Sequence, residues 1–131
     1  MKDPNCVFCK IVKGEITAYK VYEDENFLAF LDINPRAAGH VQIIPKEHYR
    51  WVWQVPNAGE FFEIAKKIAL AQQKAFNTDF IISKIVGDEV PHAHIWVFPG
   101  TKDVAPPSQS FGGASKKDFE GNAERIRKFI S

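Results

Sequence analysis

The side chains of this sequence best suited to chemistry crowd into one segment, Val90-Pro91-His92-Ala93-His94-Ile95-Trp96-Val97-Phe98-Pro99. Read as a strand, its period-two geometry puts His92, His94, Trp96 and Phe98 on one face and Ala93, Ile95 and Val97 on the other. The second set is small and apolar, as a buried sheet face requires. Two imidazoles side by side on the first face need hydrogen-bonding or metal partners. A neutral imidazole held by a hydrogen bond at one nitrogen presents the lone pair of the other, which can attack phosphorus or bind a metal near neutral pH. The plainer alternative is two polar residues on a half-exposed strand, and an H-x-H pattern alone does not separate the two. A second cluster is Cys6-Val7-Phe8-Cys9. A C-x-x-C pair supplies two thiolates from one turn, and a structural zinc site takes four N or S ligands. The same pair could be buried thiols without metal, or a redox pair, although the βαβ pattern of thioredoxin-like proteins is missing.

The elements that would position these residues are short. Tyr19 to Glu23 and Asn26 to Ile33 are aromatic and β-branched runs around an acidic turn, Asp24-Glu25, which predicts an antiparallel hairpin. Asn34-Pro35 breaks the second strand, and His40 to Ile44 forms a third that stops at Pro45, because proline removes a ladder donor. From Gly59 to Phe76 the apolar residues Phe61, Ile64, Ala65, Ile68, Ala75 and Phe76 recur at helical spacing. Phe80 to Val86 and Val90 to Phe98 read as two further strands joined by a very short turn around Gly87-Asp88. Residues 104–115, VAPPSQSFGGAS, have little to bury and read as a mobile or surface-crossing segment. Ser115 is a candidate N-cap for a final helix carrying Phe119, Ile126, Phe129 and Ile130, against which Gly121 counts. The expected fold is α+β, with a mainly antiparallel five-stranded sheet, one long central helix and a C-terminal helix.

Composition narrows the partners. The 131 residues are 45% hydrophobic and 25% charged, the make-up of one globular domain with a core of its own. Seventeen basic residues against sixteen acidic give a formal net charge of +1, so there is no electrostatic footprint for nucleic acid or an anionic membrane. No apolar run approaches the roughly 20 residues of a membrane span, and the polar start MKDPNC lacks a signal-peptide core, so a cytoplasmic location is expected.

Four separated motifs appear in order: C-V-F-C at 6–9, F-L-D-I-N-P at 30–35, G-H-V-Q-I-I-P-K-E-H at 39–48, and P-H-A-H at 91–94. Together, from about Cys6 to Pro99, they resemble the histidine-triad family in its bacterial, zinc-binding form. The resemblance implies a nucleotide-binding domain over 1–103, a connecting segment over 104–115 and a C-terminal helix over 116–131 packed on the same domain. It implies a homodimer whose protomers join their sheets, each binding a purine nucleotide or nucleotide conjugate. His94 matches the middle histidine of H-x-H-x-H, which attacks the α-phosphorus to form a nucleotidyl-histidine intermediate. Asp32 matches the carboxylate that accepts the ribose hydroxyls. Val7, Phe8, Ile11, Phe30 and Ile33 match positions lining the base pocket, although core packing is the ordinary fate of such residues. His40 matches a histidine near the active-site cluster, or is simply a polar residue at a strand end. His48 and His92 match the positions that complete a zinc site with Cys6 and Cys9. Such a site is structural, since four protein ligands leave no open position.

Two departures matter. Trp96 stands where the family has its third histidine, and an indole N–H donates a hydrogen bond but transfers no proton at neutral pH. Filling space is the better reading of this ring, with stacking against a base or sugar as the alternative. The glycine-rich turn that helps hold phosphate in the family is shortened to Val86-Gly87-Asp88-Glu89, whose carboxylates oppose an anion unless they point away. Tyr49, Arg50, Trp51 and Trp53 form a further cluster that suits a dimer interface or a substrate rim. Three functions remain: a nucleotide hydrolase or nucleotidyltransferase, a non-catalytic nucleotide-binding or regulatory module, and a zinc-stabilised interaction protein. His94 with Asp32 favours the first two, and Trp96 favours the second over the first.

Overall fold

The structure is a computed structural model, and it describes residues 4–100 and 116–130. In chain order the elements are α1 (Val7–Lys13), β1 (Lys20–Glu23), β2 (Phe27–Leu31), β3 (Val41–Pro45), a single 3-10 turn (Val52–Gln54), α2 (Ala58–Ala75), β4 (Ile81–Lys84), β5 (Ile95–Pro99) and α3 (Lys116–Lys128). The five strands form one sheet in the order β1-β2-β3-β5-β4, each pair antiparallel. The fold is therefore the α+β arrangement expected from the hydrophobic periods.

Local chemistry explains the hairpin of β1 and β2. Asp24 Oδ1 accepts the backbone N–H groups of Asn26 and Phe27, both at 2.8 Å, and Tyr22 Oη donates to Asp24 Oδ2 at 2.8 Å. These bonds draw Asp24 below the ordinary carboxylate range against the opposing effect of its burial. The strand ends at Leu31, short of the expected Ile33, because Asp32 Oδ1 accepts the N–H of Asn34 at 2.8 Å and turns the chain.

The sheet has two differently covered faces. Ala29, Leu31, Val41, Ile43, Ile95 and Val97 pack against Phe61, Ile64, Ile68 and Ala71 of α2, and Ala123 and Ile126 of α3 join this core. Gln72 is the one polar side chain α2 buries fully, and its Nε2 donates to the carbonyls of Gly39 (2.8 Å) and Val97 (2.9 Å), tying helix to sheet. Helical spacing located α2 but gave no signal for that glutamine. On the opposite face Leu28, Phe30 and Ile44 lie under Phe8, Cys9 and Ile11 of α1. This short helix is a structural finding. Cys6 is its N-cap, with Sγ accepting the N–H of Cys9 at 3.4 Å, and Gly14, in the left-handed region at φ 83°, closes it by donating to Ile11 O.

The largest correction concerns the histidine segment. The expected strands at 80–86 and 90–98 are shorter, and β4 and β5 are separated by residues 85–94 instead of a tight turn. Pro91 has no N–H to give a ladder, and the N–H of Ala93 goes sideways to Tyr49 O at 2.6 Å. His92 and His94 thus sit on the approach to β5, not within it. The predicted separation of faces still holds, since Ala93, Ile95 and Val97 join the α2 core. At the C-terminal side, Phe119 of α3 stacks on Tyr19 (5.1 Å, 13°), and Arg125 donates to Ala75 O at 2.6 Å. The predicted connecting segment and the Ser115 cap lie outside the described residues. No described helix is long and apolar enough to cross a membrane.

Candidate functional site

The buried end of the site is a four-residue cluster. Cys6 and Cys9 come from the start of α1, His48 from the loop after β3, and His92 from the approach to β5. Their ligand atoms all lie within 4.8 Å of one another. His92 Nδ1 is 3.3 Å from Cys6 Sγ, 3.5 Å from Cys9 Sγ and 3.2 Å from His48 Nδ1, and His48 Nδ1 is 3.3 Å from Cys9 Sγ. The edges of a tetrahedron drawn from ordinary Zn–S and Zn–N bonds are roughly 3.3–3.8 Å, so the donor types suit zinc and four of the six separations, 3.2–3.5 Å, are close to those of a zinc-sized ion. The tautomer agrees. His92 Nε2 lies 2.8 Å from Pro45 O and must carry the proton to donate there, which leaves Nδ1 with its lone pair facing the cluster. Burial pulls the His92 imidazole down to about 4, so the ring is neutral as a ligand must be. Burial also raises the Cys6 thiol in the metal-free state.

His94 follows directly. Its Nδ1 is 2.7 Å from His92 O, so this nitrogen donates and Nε2 holds the free lone pair. Burial holds the ring below the usual histidine range, hence neutral at pH 7. The Phe8 ring meets His94 edge-on at 5.4 Å and 89°, and His92 at 5.8 Å and 74°, so one aromatic from α1 braces both histidines.

Trp96 is buried, directly opposite Gln42 of β3, with its ring 6.5 Å from His94 and edge-on to His40 at 5.1 Å. Arg36 lies over its face at 5.0 Å. These contacts make it a packed core aromatic. Its Nε1–H is nonetheless buried with no hydrogen-bond partner among the described residues.

His40 Nδ1 accepts the N–H of Arg36 at 3.0 Å, so its proton sits on Nε2, 3.7 Å from Asp32 Oδ2. Burial, helped by the Arg36 charge, lowers His40 to about 3, and burial raises the Asp32 carboxyl above its ordinary value. Asp32 and His40 also wall a cavity of about 250 Å³ that Asp118, Phe119 and Asn122 of α3 close from the other side. Of the residues matched to a base pocket, Phe8, Ile11 and Phe30 form one apolar cluster beside His94. Val7 faces outward, and Ile33 is 70% exposed next to Asp32.

The sequence placed Arg50 only in a cluster suited to a dimer interface or a substrate rim. Its guanidinium stacks on the Trp51 ring at 3.8 Å, its charge acts on His94, and its Nη1 is buried without a partner among the described residues. Gly87 makes room for the pair. At φ 73° it adopts a backbone that disfavours a side chain, and a Cβ there would meet the Trp51 ring at 2.7 Å. The mixed aromatic and cationic run at 49–53 was the only signal.

An antiparallel sheet braced by one long helix carries a buried histidine next to a cluster of two cysteines and two histidines that could hold a metal ion. The HIT domain profile matches residues 13–103, and the chain belongs to the HIT family. It is 32% identical over 127 residues to adenosine 5′-monophosphoramidase of Schizosaccharomyces pombe, covering 94% of this chain and 91% of that relative. Among solved structures it is similar to a HIT-like protein of Bartonella henselae, with a TM-score of 0.85 and 29% identity over 99% of this chain and 100% of that one. It is also similar to a zinc-bound histidine triad family protein of Mycobacterium smegmatis, with a TM-score of 0.80 and 29% identity over 96% and 93% of the two chains.

Proposed function

We propose that this protein binds a purine nucleotide or nucleotide conjugate and cleaves it at the α-phosphate through His94, as a phosphoramidate or dinucleoside polyphosphate hydrolase or a nucleotidyltransferase. The observation that carries the reading is the His94 tautomer, with Nδ1–H committed to His92 O at 2.7 Å and the Nε2 lone pair free. In the reaction Nε2 attacks phosphorus, an N–P bond forms, and the bond to the leaving group breaks. The leaving group takes its proton from solvent, because Trp96 has none to transfer. Water, or an acceptor hydroxyl, then breaks the N–P bond and releases the mononucleotide or its transfer product. Asp32 receives the ribose hydroxyls. Phe8, Ile11 and Phe30, with Val7 and the exposed Ile33 at the rim, wall the base, and His40 and Trp96 close the inner side. The name of the S. pombe relative supports a nucleoside phosphoramidate as the first substrate to try.

Cys6, Cys9, His48 and His92 hold a structural zinc in this reading, supported by the donor set and by the zinc-bound relative. The ion pins α1 to the histidine segment and takes no part in the chemistry. The domain spans 1–103, with 104–115 as a connector and 116–131 completing the same unit. It works as a homodimer in the cytoplasm, where the thiols stay reduced.

The test is intact mass after mixing with adenosine 5′-phosphoramidate, with released AMP followed by chromatography. An adenylyl adduct and AMP are expected from the native chain and neither from His94→Ala. Full turnover by His94→Ala would sink the mechanism. A second reading, a nucleotide-binding or regulatory module without useful turnover, is favoured by Trp96 and by the short turn at 86–89. Nucleotide binding with neither adduct nor product would select it.

A further inference from the structure

Three buried donors around the histidine segment have no hydrogen-bond partner among the described residues: His40 Nε2, Trp96 Nε1 and Arg50 Nη1. Burying a donor unpaired costs about 1–3 kcal/mol, so such atoms mark places where a ligand or water is expected to complete the bonding. Only Arg50 among the three carries a permanent charge, and the fold spends several contacts on holding it there. Tyr49 O accepts the N–H of Ala93 at 2.6 Å, which fixes residues 49–50 alongside residues 93–94. The guanidinium then lies over the Trp51 ring at 3.8 Å, and Nη1 approaches to 3.6 Å of where a Gly87 side chain would begin. Gly87 belongs to the shortened turn that leads into His92 and His94. The exposed Asp88 and Glu89 follow it, and their charges and that of Arg50 all act on His94.

We propose that Arg50 is a phosphate-contacting residue of the His94 site, supplying the positive charge that neither Trp96 nor the short 86–89 turn can give. The inference rests on the nucleotide reading above and adds a residue to it. A guanidinium held over an aromatic face loses little further freedom on binding, and its planar fork of donors suits two oxygens of one phosphate. Its charge also offsets the carboxylates of Asp88 and Glu89, so an anion meets a site that is not net repulsive.

The test is calorimetric titration of the intact protein with adenosine and with AMP, for the native chain, Arg50→Gln and Arg50→Lys, with melting curves for all three. Arg50→Gln is expected to weaken AMP by about tenfold or more while leaving adenosine within about twofold, and Arg50→Lys to recover part of the AMP affinity. Loss of both ligands in parallel would assign Arg50 a purely structural part and overturn the inference. AMP affinity unchanged in Arg50→Gln would overturn it equally, with the nucleotide reading intact. A native chain that binds neither ligand would instead overturn that reading, and this inference with it.

Discussion

At the scale of single residues, the site is a relay of tautomers. Pro45 O fixes the His92 proton on Nε2, which turns Nδ1 to the cysteines, while His92 O fixes the His94 proton on Nδ1, which frees Nε2. In the proposed mechanism Trp96 has no proton to transfer, so an imidazole at this position should supply proton transfer to the leaving group. We predict that Trp96→His raises kcat on adenosine 5′-phosphoramidate by about a hundredfold, the lower end of general-acid contributions, while removing most of a buried indole costs about 2–4 kcal/mol of stability. Steady-state kinetics with urea unfolding checks both, and a variant of unchanged kcat would show that leaving-group protonation is not limiting. His40 gives a second prediction. Its folded value, about 3, lies below the ordinary histidine value of 6.5, so its contribution is complete above the upper figure and is lost as pH falls toward the lower. In His40→Asn, whose side-chain oxygen can still accept the Arg36 N–H, the fall in melting temperature between pH 6.5 and 4 should be shallower than in the native chain. Equal slopes would place the acid sensitivity elsewhere.

At the scale of elements, α1 is the piece least able to stand alone. Seven residues are too few for a helix in water, and its apolar contacts are Phe8, Cys9 and Ile11. Metal ligation at its first turn is what would hold it, so stripping the ion with a strong chelator should lower the melting temperature by 10 °C or more, on the order of several kcal/mol. Elemental analysis should give one zinc per chain in the native protein and much less in Cys9→Ser. A zinc-free protein with an unchanged melting curve would remove the metal from the account. This element also shows the limits of the sequence. The C-x-x-C spacing and the two histidines were visible as ligands, yet α1 itself was not, because seven residues opening on a cysteine cap carry too little periodicity. The sheet was legible through its apolar runs, and α2 to within one residue at each end. The approach to β5 was misjudged because H-A-H-I-W alternates perfectly as a strand, whereas the backbone there is steered by Pro91 and by a bond from Ala93 to Tyr49, and long-range bonds leave no local pattern. Arg50 was visible only as part of the 49–53 cluster for the same reason, since its surroundings depend on Gly87 and Ala93, both far away in sequence.

At the scale of the whole molecule, the sheet divides labour between its faces. One face buries the aliphatic core under α2 and α3, and the other carries α1, the cluster of Cys6, Cys9, His48 and His92, and His94. The two outer strands differ as well. Arg127 of α3 donates to Lys20 O of β1 at 2.7 Å, and β4, at the other edge, pairs with β5 alone among the described residues. α3 is reached through residues outside the described set, yet it is stitched to the core rather than laid upon it, since Ile126 is fully buried and Arg125 caps a carbonyl near the end of α2. A helix held that way should unfold with the domain and not before it. Ile126→Ala is therefore expected to lower the unfolding free energy by about 2–5 kcal/mol in a single urea transition, with circular dichroism and tryptophan fluorescence moving together. Because Ile126 lies on the face away from His94, AMP affinity measured below the transition should stay within about twofold of the native value. Two separate transitions, or a cost below about 1 kcal/mol, would mean that α3 is an appendage and that the folding unit ends before it.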